Sequence, residues 1–118
     1  LPICKLLESN VFLHLCRSCG ELDKIYYFMG DKECDFVVQR GEQVLQLVQA
    51  CWQLEDTETR EREVAGLLEA GQITGCTRLS IITRDREETI VRDGLTIHVL
   101  PAWKWMLHPS LLRSSIDG

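Results

Sequence analysis

An α/β domain with a single mixed β-sheet flanked by helices is the fold class this sequence predicts, and three observations predict it. The chain has 118 residues, 45% of them apolar, which fits one domain burying roughly two thirds of the surface its unfolded chain exposes. Two stretches with helical spacing, 3–18 and 57–73, bracket three short runs rich in aromatic and β-branched residues. Another such run and a hairpin pattern follow the second helix, so strands flank it on both sides in sequence.

The first element, "ICKLLESNVFLHLCRS" (3–18), ends before Gly20, a residue suited to the left-handed turn beyond a helix. Cys4, Glu8, Val11, Phe12 and Leu15 share one stripe, because residues three and four apart stack on a helix surface. A carboxylate on that stripe is unusual, and Glu8 is expected at its solvent edge. "KIYYFMG" (24–30) and "CDFVVQR" (34–40) read as strands, and Gly41-Glu42 turns the chain into a third, "QVLQLVQACW" (43–52). A period of two puts Glu33, Asp35 and Val37 on one face. In the third strand Leu45, Leu47, Gln49 and Cys51 share a face, and Val44, Val48 and Ala50 share the other. Both faces are largely apolar, as in a strand covered on both sides.

The helix from Thr57 to about Ile73 opens with Glu58, Glu61 and Glu63, whose charges suit the positive end of a helix. Val64, Leu67 and Leu68 form its apolar stripe, and Gly71 and Gly75 loosen and end it. "TRLSIITRD" (77–85) is the next strand. "EETIVRDGLTIHVLP" reads as a hairpin around Arg92-Asp93-Gly94, with Leu95, Ile97 and Val99 facing inward. Pro101 suits the first turn of a short helix, "AWKWML". Trp103 and Leu107 are spaced to face the core together, which turns Trp105 toward another module or subunit. The predicted order is α-β-β-β-α-β-β-α, in one domain over 1–109 with a frayed tail at 110–118.

A net charge of −5 argues against broad nucleic-acid binding, which needs a basic face to displace counterions. Arg60, Arg62, Arg84 and Arg86 alternate with acids at 58, 61, 63, 85, 87 and 88, the pattern of a solvated, salt-bridged surface. No apolar run approaches the ~20 residues of a membrane span, so a cytoplasmic protein with no membrane partner is expected. The six Cys (4, 16, 19, 34, 51 and 76) fall mostly inside periodic segments, and reduced thiols are expected. Cys16-Arg-Ser-Cys19 is a lone CxxC. Zinc would need a second ligand pair, and a redox CxxC opens a helix rather than ending one. Neither GxxxxGK[ST] nor GxGxxG occurs, so no nucleotide-binding loop is expected in this segment. The chain starts at Leu rather than Met, and a domain of a longer protein is expected.

Five stretches, "LLESNVFLHL", "ECDFVVQRG", "QLVQACWQL", "TETREREVAGLLEA" and "TRLSIITRD", resemble in this order the C-terminal domain of a bacterial and archaeal P-loop (AAA-type) ATPase family. That domain is one of unknown function with the restriction-endonuclease-like PD-(D/E)xK fold. The resemblance implies a prokaryotic parent protein whose N-terminal ATPase module binds ATP and is this domain's partner. Nucleic acid and further copies of the chain are additional candidate partners. By position, Glu8 matches the first-helix acid of the nuclease pattern and Asp35 its first strand acid. Gln49 and Cys51 stand where the second acid and the Lys belong, and Glu33 is an extra acid two residues before Asp35.

An intact site of this kind holds Mg²⁺ between carboxylates, polarises a phosphodiester and lowers the pKa of the attacking water. Gln49 keeps an oxygen but loses a charge. Cys51 removes the cation, and a thiol is a poor Mg²⁺ ligand. Losing one such transition-state contact costs about 10²–10³ in rate. The resemblance therefore implies a degenerate site in a non-catalytic accessory domain, with Glu33 and Asp35 left as candidate ligands for weakly held Mg²⁺. The alternative is an active or weakly active Mg²⁺-dependent nuclease using Glu8, Glu33 and Asp35. Without the resemblance, Glu33 and Asp35 start a strand from a polar turn, Gln49 is a hydrogen-bonded residue under a helix, and Cys51 is a small buried hydrophobe.

Overall fold

Helix α1 (Ile3–Ser18) leads into three consecutive strands, β1 (Asp23–Met29), β2 (Cys34–Arg40) and β3 (Gln43–Ala50). Helix α2 (Thr57–Thr74) then carries the chain to β4 (Leu79–Thr83), a hairpin of β5 (Glu88–Arg92) and β6 (Leu95–Pro101), and the short helix α3 (Ala102–Leu107). The computed structural model describes residues 3–29, 34–52 and 54–107, without the side chains of 3–5, 28, 29 and 34. Glu33 and the tail 110–118, both assigned a role or a state from sequence, lie outside the described residues.

One six-stranded mixed sheet results, in the order β1-β2-β3-β4-β6-β5. β3–β4 and β4–β6 are parallel and the other pairs antiparallel. Three strands follow α2 rather than the two of the predicted order, because both arms of the last hairpin join the sheet. Its turn is specified by Asp93 and Gly94, with φ of 54° and 77°, the left-handed pair that a two-residue hairpin turn requires.

Each face of the sheet has its own core. α2 covers one face, where Leu47, Cys51, Val64, Leu67, Leu79 and Ile97 pack together. α1 and α3 cover the other, with Leu7, Val11, Leu15, Phe36, Val48 and Trp105. β3 is thus apolar on both sides, as its sequence predicts. Its face assignment changes at one point: Val44 packs with the α2 core and Leu45 with the α1 core, the reverse of a strict alternation. The β2–β3 register slips at Val38/Gln39, leaving Leu45 as an extra residue on β3, and such a bulge inverts the faces beyond it.

Two further expectations are corrected. On α1 the buried line is Leu7, Val11 and Leu15, while Phe12 is 40% exposed and Glu8 half-buried. The helix is apolar on several sides (Leu6 and Leu13 are also exposed), so spacing alone cannot choose the stripe. On α3, Trp105 is 1% exposed and Trp103 60% exposed, the inverse of the expected orientation. Helix α3 starts directly from β6 and lies against α1, where Trp105 reaches His14 at 4.5 Å between ring centroids. The shared face of Trp103 and Leu107 is the outer one.

Helix α2 starts and stops as its sequence dictates. Asp56 caps it, its carboxylate accepting from the Thr59 backbone N–H at 2.9 Å. Gly75 ends it in the left-handed conformation, φ 76°, donating its N–H to the Gly71 carbonyl.

Candidate functional site

The β2–β3 pairing sets Asp35 directly across from Gln49. Both lie on the α2 face, since Val37 and Leu47, one strand period away, pack into the α2 core. With Gly66, Leu67 and Ala70 of α2 they line a cavity of about 170 Å³. Gln49 is 5% exposed, and its Oε1 is buried with no hydrogen-bond partner among the described residues. A buried amide oxygen without a donor costs about 1–3 kcal/mol, so Gln49 is not placed there by packing alone.

Cys51 lies on the same face of β3, inside the α2 core. It is 2% exposed among Leu47, Leu54 and Val64, and its backbone N–H donates to the Ile82 carbonyl at 2.9 Å. His14 is on α1, across the sheet, and His98 is exposed on β6, while His108 lies outside the described residues. His14 packs on Trp105, and burial, then the nearby Arg17 charge, lowers its pKa.

Glu8 does not join Asp35 and Gln49. Helix α1 covers the opposite face, and Glu8 lines a separate cavity of about 370 Å³ with Ser9, Phe12 and Tyr27. The sheet stands between these carboxylates. Sequence registers the spacing of Glu8 from the strands but not which face of the sheet α1 covers.

One acid that sequence reasoning assigned to the solvated N-terminal turns of α2 is inside the protein. Glu63 is 1% exposed, and Arg62 Nη2 stands 3.6 Å from its carboxylate. It belongs to the same helical face as Gly66, Leu67 and Ala70, three, four and seven residues on. The signal was present: Glu63 falls in register with Val64, Leu67, Leu68 and Gly71, the buried positions of the helix. Its neighbours do behave as a salt-bridged surface. Arg60 and Arg86 both reach Glu88, at 2.5 Å and 2.7 Å, and Arg92 reaches Glu61 at 2.5 Å. Arg84 lies over the Trp52 ring at 5.5 Å.

Cys16, Cys19, Cys51 and Cys76 carry free thiols, and burial raises the pKa of Cys19 and Cys76. Among the described residues no three His, Cys, Asp or Glu side chains are grouped to hold a metal ion. No described helix is long and apolar enough to cross a membrane. Comparison of the chain with protein-family models, with characterised proteins and with solved structures returns no match.

Proposed function

We propose that this chain is an accessory domain with a degenerate nuclease-like site, acting in interaction or recognition rather than in phosphodiester hydrolysis. In this reading it serves a larger cytoplasmic ATPase whose nucleotide-binding module lies elsewhere in the same protein. The observation that carries the proposal is the pair of residues on β3. Gln49, opposite Asp35, supplies no charge, and Cys51, where hydrolysis needs a cation, is enclosed by aliphatic side chains. A neutral amide and a buried thiol cannot together neutralise the charge of a pentavalent phosphate. The position of Glu8 on the opposite face of the sheet supports the same reading.

A second reading, a weak Mg²⁺-dependent nuclease, draws support from Glu63. This buried carboxylate lies on α2 one turn before Gly66 and Leu67, which line the Asp35–Gln49 cavity, and in this reading it replaces the acid lost from β3. One experiment separates the two. The purified chain is incubated with supercoiled plasmid, single-stranded DNA and RNA in Mg²⁺ and Mn²⁺. The expected result is no cleavage above the Asp35→Ala control. Cleavage that is abolished in Asp35→Ala and in Glu63→Gln establishes the nuclease instead.

A further inference from the structure

Cys16-Arg-Ser-Cys19 takes no part in the nuclease-like reading, and it spans the end of α1. Cys16 is in the last turn of the helix and exposed. Cys19 follows the last helical residue, yet its backbone N–H still donates to the Leu15 carbonyl at 3.0 Å. The helical path therefore continues through Cys19. Side chains three residues apart on such a path point to the same side, with about 5–6 Å between Cβ atoms. Cys19 is half-buried and packs against the α1 core, and both thiols are free. Burial, then the Asp23 carboxylate and the Cys16 thiol, raises the Cys19 pKa, and Arg40 opposes that rise.

A disulfide requires about 3.5–4.5 Å between Cβ atoms, so closure asks this turn to tighten by about 1–2 Å. That is the change from an α turn to a 3₁₀ turn, in which side chains at i and i+3 eclipse, and helix ends take up this turn readily. The Cys19 N–H then passes from the Leu15 carbonyl to that of Cys16. Ser18 Oγ keeps the His14 carbonyl satisfied at 2.8 Å. Beyond the motif the chain is anchored: the Gly20 N–H donates to Asp23 at 2.8 Å, and Arg40 Nε donates to the same carboxylate at 2.6 Å. The tightening is thereby limited to the motif.

We propose that Cys16 and Cys19 form an oxidation site, which a low-molecular-weight disulfide converts to an intramolecular disulfide. Exposed Cys16 reacts first. Its thiolate attacks one sulfur of the small disulfide, forms a mixed disulfide and releases one small thiol. The Cys19 thiolate then attacks the Cys16 sulfur, forms the Cys16–Cys19 bond and expels the second small thiol. The protons of both cysteines end on the small thiols, and the electron pair that leaves the cysteines reduces the small disulfide. A CxxC that opens a helix gains thiolate from the helix dipole and exchanges rapidly. Here burial, the Asp23 carboxylate and the carbonyl end of α1 all disfavour the Cys19 thiolate, so closure is slow. The pair answers a sustained rise in disulfide, as redox-sensing thiols of reducing compartments do. The proposal does not rest on the nuclease-like reading, since α1 covers the opposite face of the sheet from Asp35 and Gln49.

The test is incubation of the purified chain with oxidised glutathione, followed by alkylation of the remaining thiols and peptide mass spectrometry. The expected product is a Cys16–Cys19 link within one peptide, lighter by the hydrogens it has lost, with buried Cys51 and Cys76 still alkylatable after unfolding. Closure of the mixed disulfide should accelerate about tenfold per unit as pH is raised from neutral, because the Cys19 thiolate fraction grows. Cys19→Ser should stop at a glutathione adduct on Cys16. Cys16→Ser, at an exposed position, should lose the link and form at least about tenfold less adduct on half-buried Cys19, which keeps the proposal testable if Cys19→Ser does not fold. The proposal is overturned by a wild-type chain in which the Cys16 adduct persists or neither thiol reacts. A link from Cys16 to Cys4, to Cys34 or to a second chain overturns it equally.

Discussion

The two faces of the sheet are held by different chemistry. Under α1 and α3 the fastening is aromatic: Phe36 lies 6.3 Å from Phe12 and 5.4 Å from Tyr27, and Trp105 lies against His14. Under α2 the apolar core is framed by polar devices, namely the Asp56 cap, the Gly75 stop, the Arg60–Glu88 and Arg92–Glu61 ion pairs, and the buried Glu63. Side chains with chemical capacity can be kept on the α2 face because charged neighbours are already there. The aromatic face offers packing and little else, and Glu8 sits at its margin. The α2 face should therefore respond to acid and salt, and the aromatic face should respond to volume.

The largest expected effect falls on the aromatic face. Trp105→Ala removes a nearly fully enclosed ring and should cost about 3–5 kcal/mol, a large share of the ~5–15 kcal/mol typical of a domain. Trp103→Ala, two residues away but 60% exposed, should change stability by no more than about 0.5 kcal/mol. Urea denaturation of both variants checks the pair. Equal losses would mean that α3 docks by its other face, and the contrast between the two sides of the sheet would fail.

Two glycines of α2 give a smaller contrast on the other face. A Cβ at Gly71 would stand 3.0 Å from the Cys76 carbonyl oxygen and 3.3 Å from both Leu79 methyl carbons. Backbone and a fully buried Leu79 cannot both give way, so Gly71→Ala should destabilise by about 1–3 kcal/mol. At Gly66 a Cβ would meet nothing within 4 Å, and the helical backbone suits alanine. Gly66→Ala should stabilise by about 0.5–1 kcal/mol. Thermal melts of the two variants should move in opposite directions. Gly66 also borders the Asp35–Gln49 cavity, so its alanine tests whether that space can narrow without penalty.

What sequence revealed follows the same division. The β2–β3 hairpin, the double-sided burial of β3, the α2 stripe and the Asp93-Gly94 turn were legible because each rests on local period or local backbone preference. The Asp35–Gln49 juxtaposition was legible only to within one residue, since the Gly41-Glu42 turn alone would set Asp35 against Val48 and the bulge brings Gln49 opposite it. Three features were not. The bulge at Leu45 comes from a register slip that no propensity records. The face of the sheet that α1 covers, which decides the place of Glu8, and the rotation of α3, which decides that of Trp105, are chosen by packing between helices that are apolar on more than one side. Glu63 was concealed by its charge, since composition argues for solvent even where spacing argues for the core.

The smallest expected effect tests the acid response assigned to the α2 face. A hydrogen bond from Arg60, aided by one from Arg86 and opposed by partial burial, takes the Glu88 carboxyl from its ordinary 4.5 down to about 2. Because the folded pKa lies below the unfolded one, the unfolded chain takes up the proton first as acid is added. The contribution of Glu88 is therefore fully present above pH 4.5 and is lost as pH falls toward 2. The side chain is 24% exposed and water screens its partners, so the contribution amounts to about 1 kcal/mol. Wild type should lose that increment, relative to Glu88→Gln, between pH 4.5 and 2 in urea melts, and raising salt to about 1 M should shrink the difference. Trp105→Ala, on the aromatic face, should retain the same increment despite its lower baseline. The rival source is Asp23, whose pKa is also lowered, chiefly by its hydrogen bond from Arg40. If Glu88→Gln keeps the full acid sensitivity and Asp23→Asn loses it, the response belongs to the β1–β2 pairing instead, and the α2 face is not the titrating side.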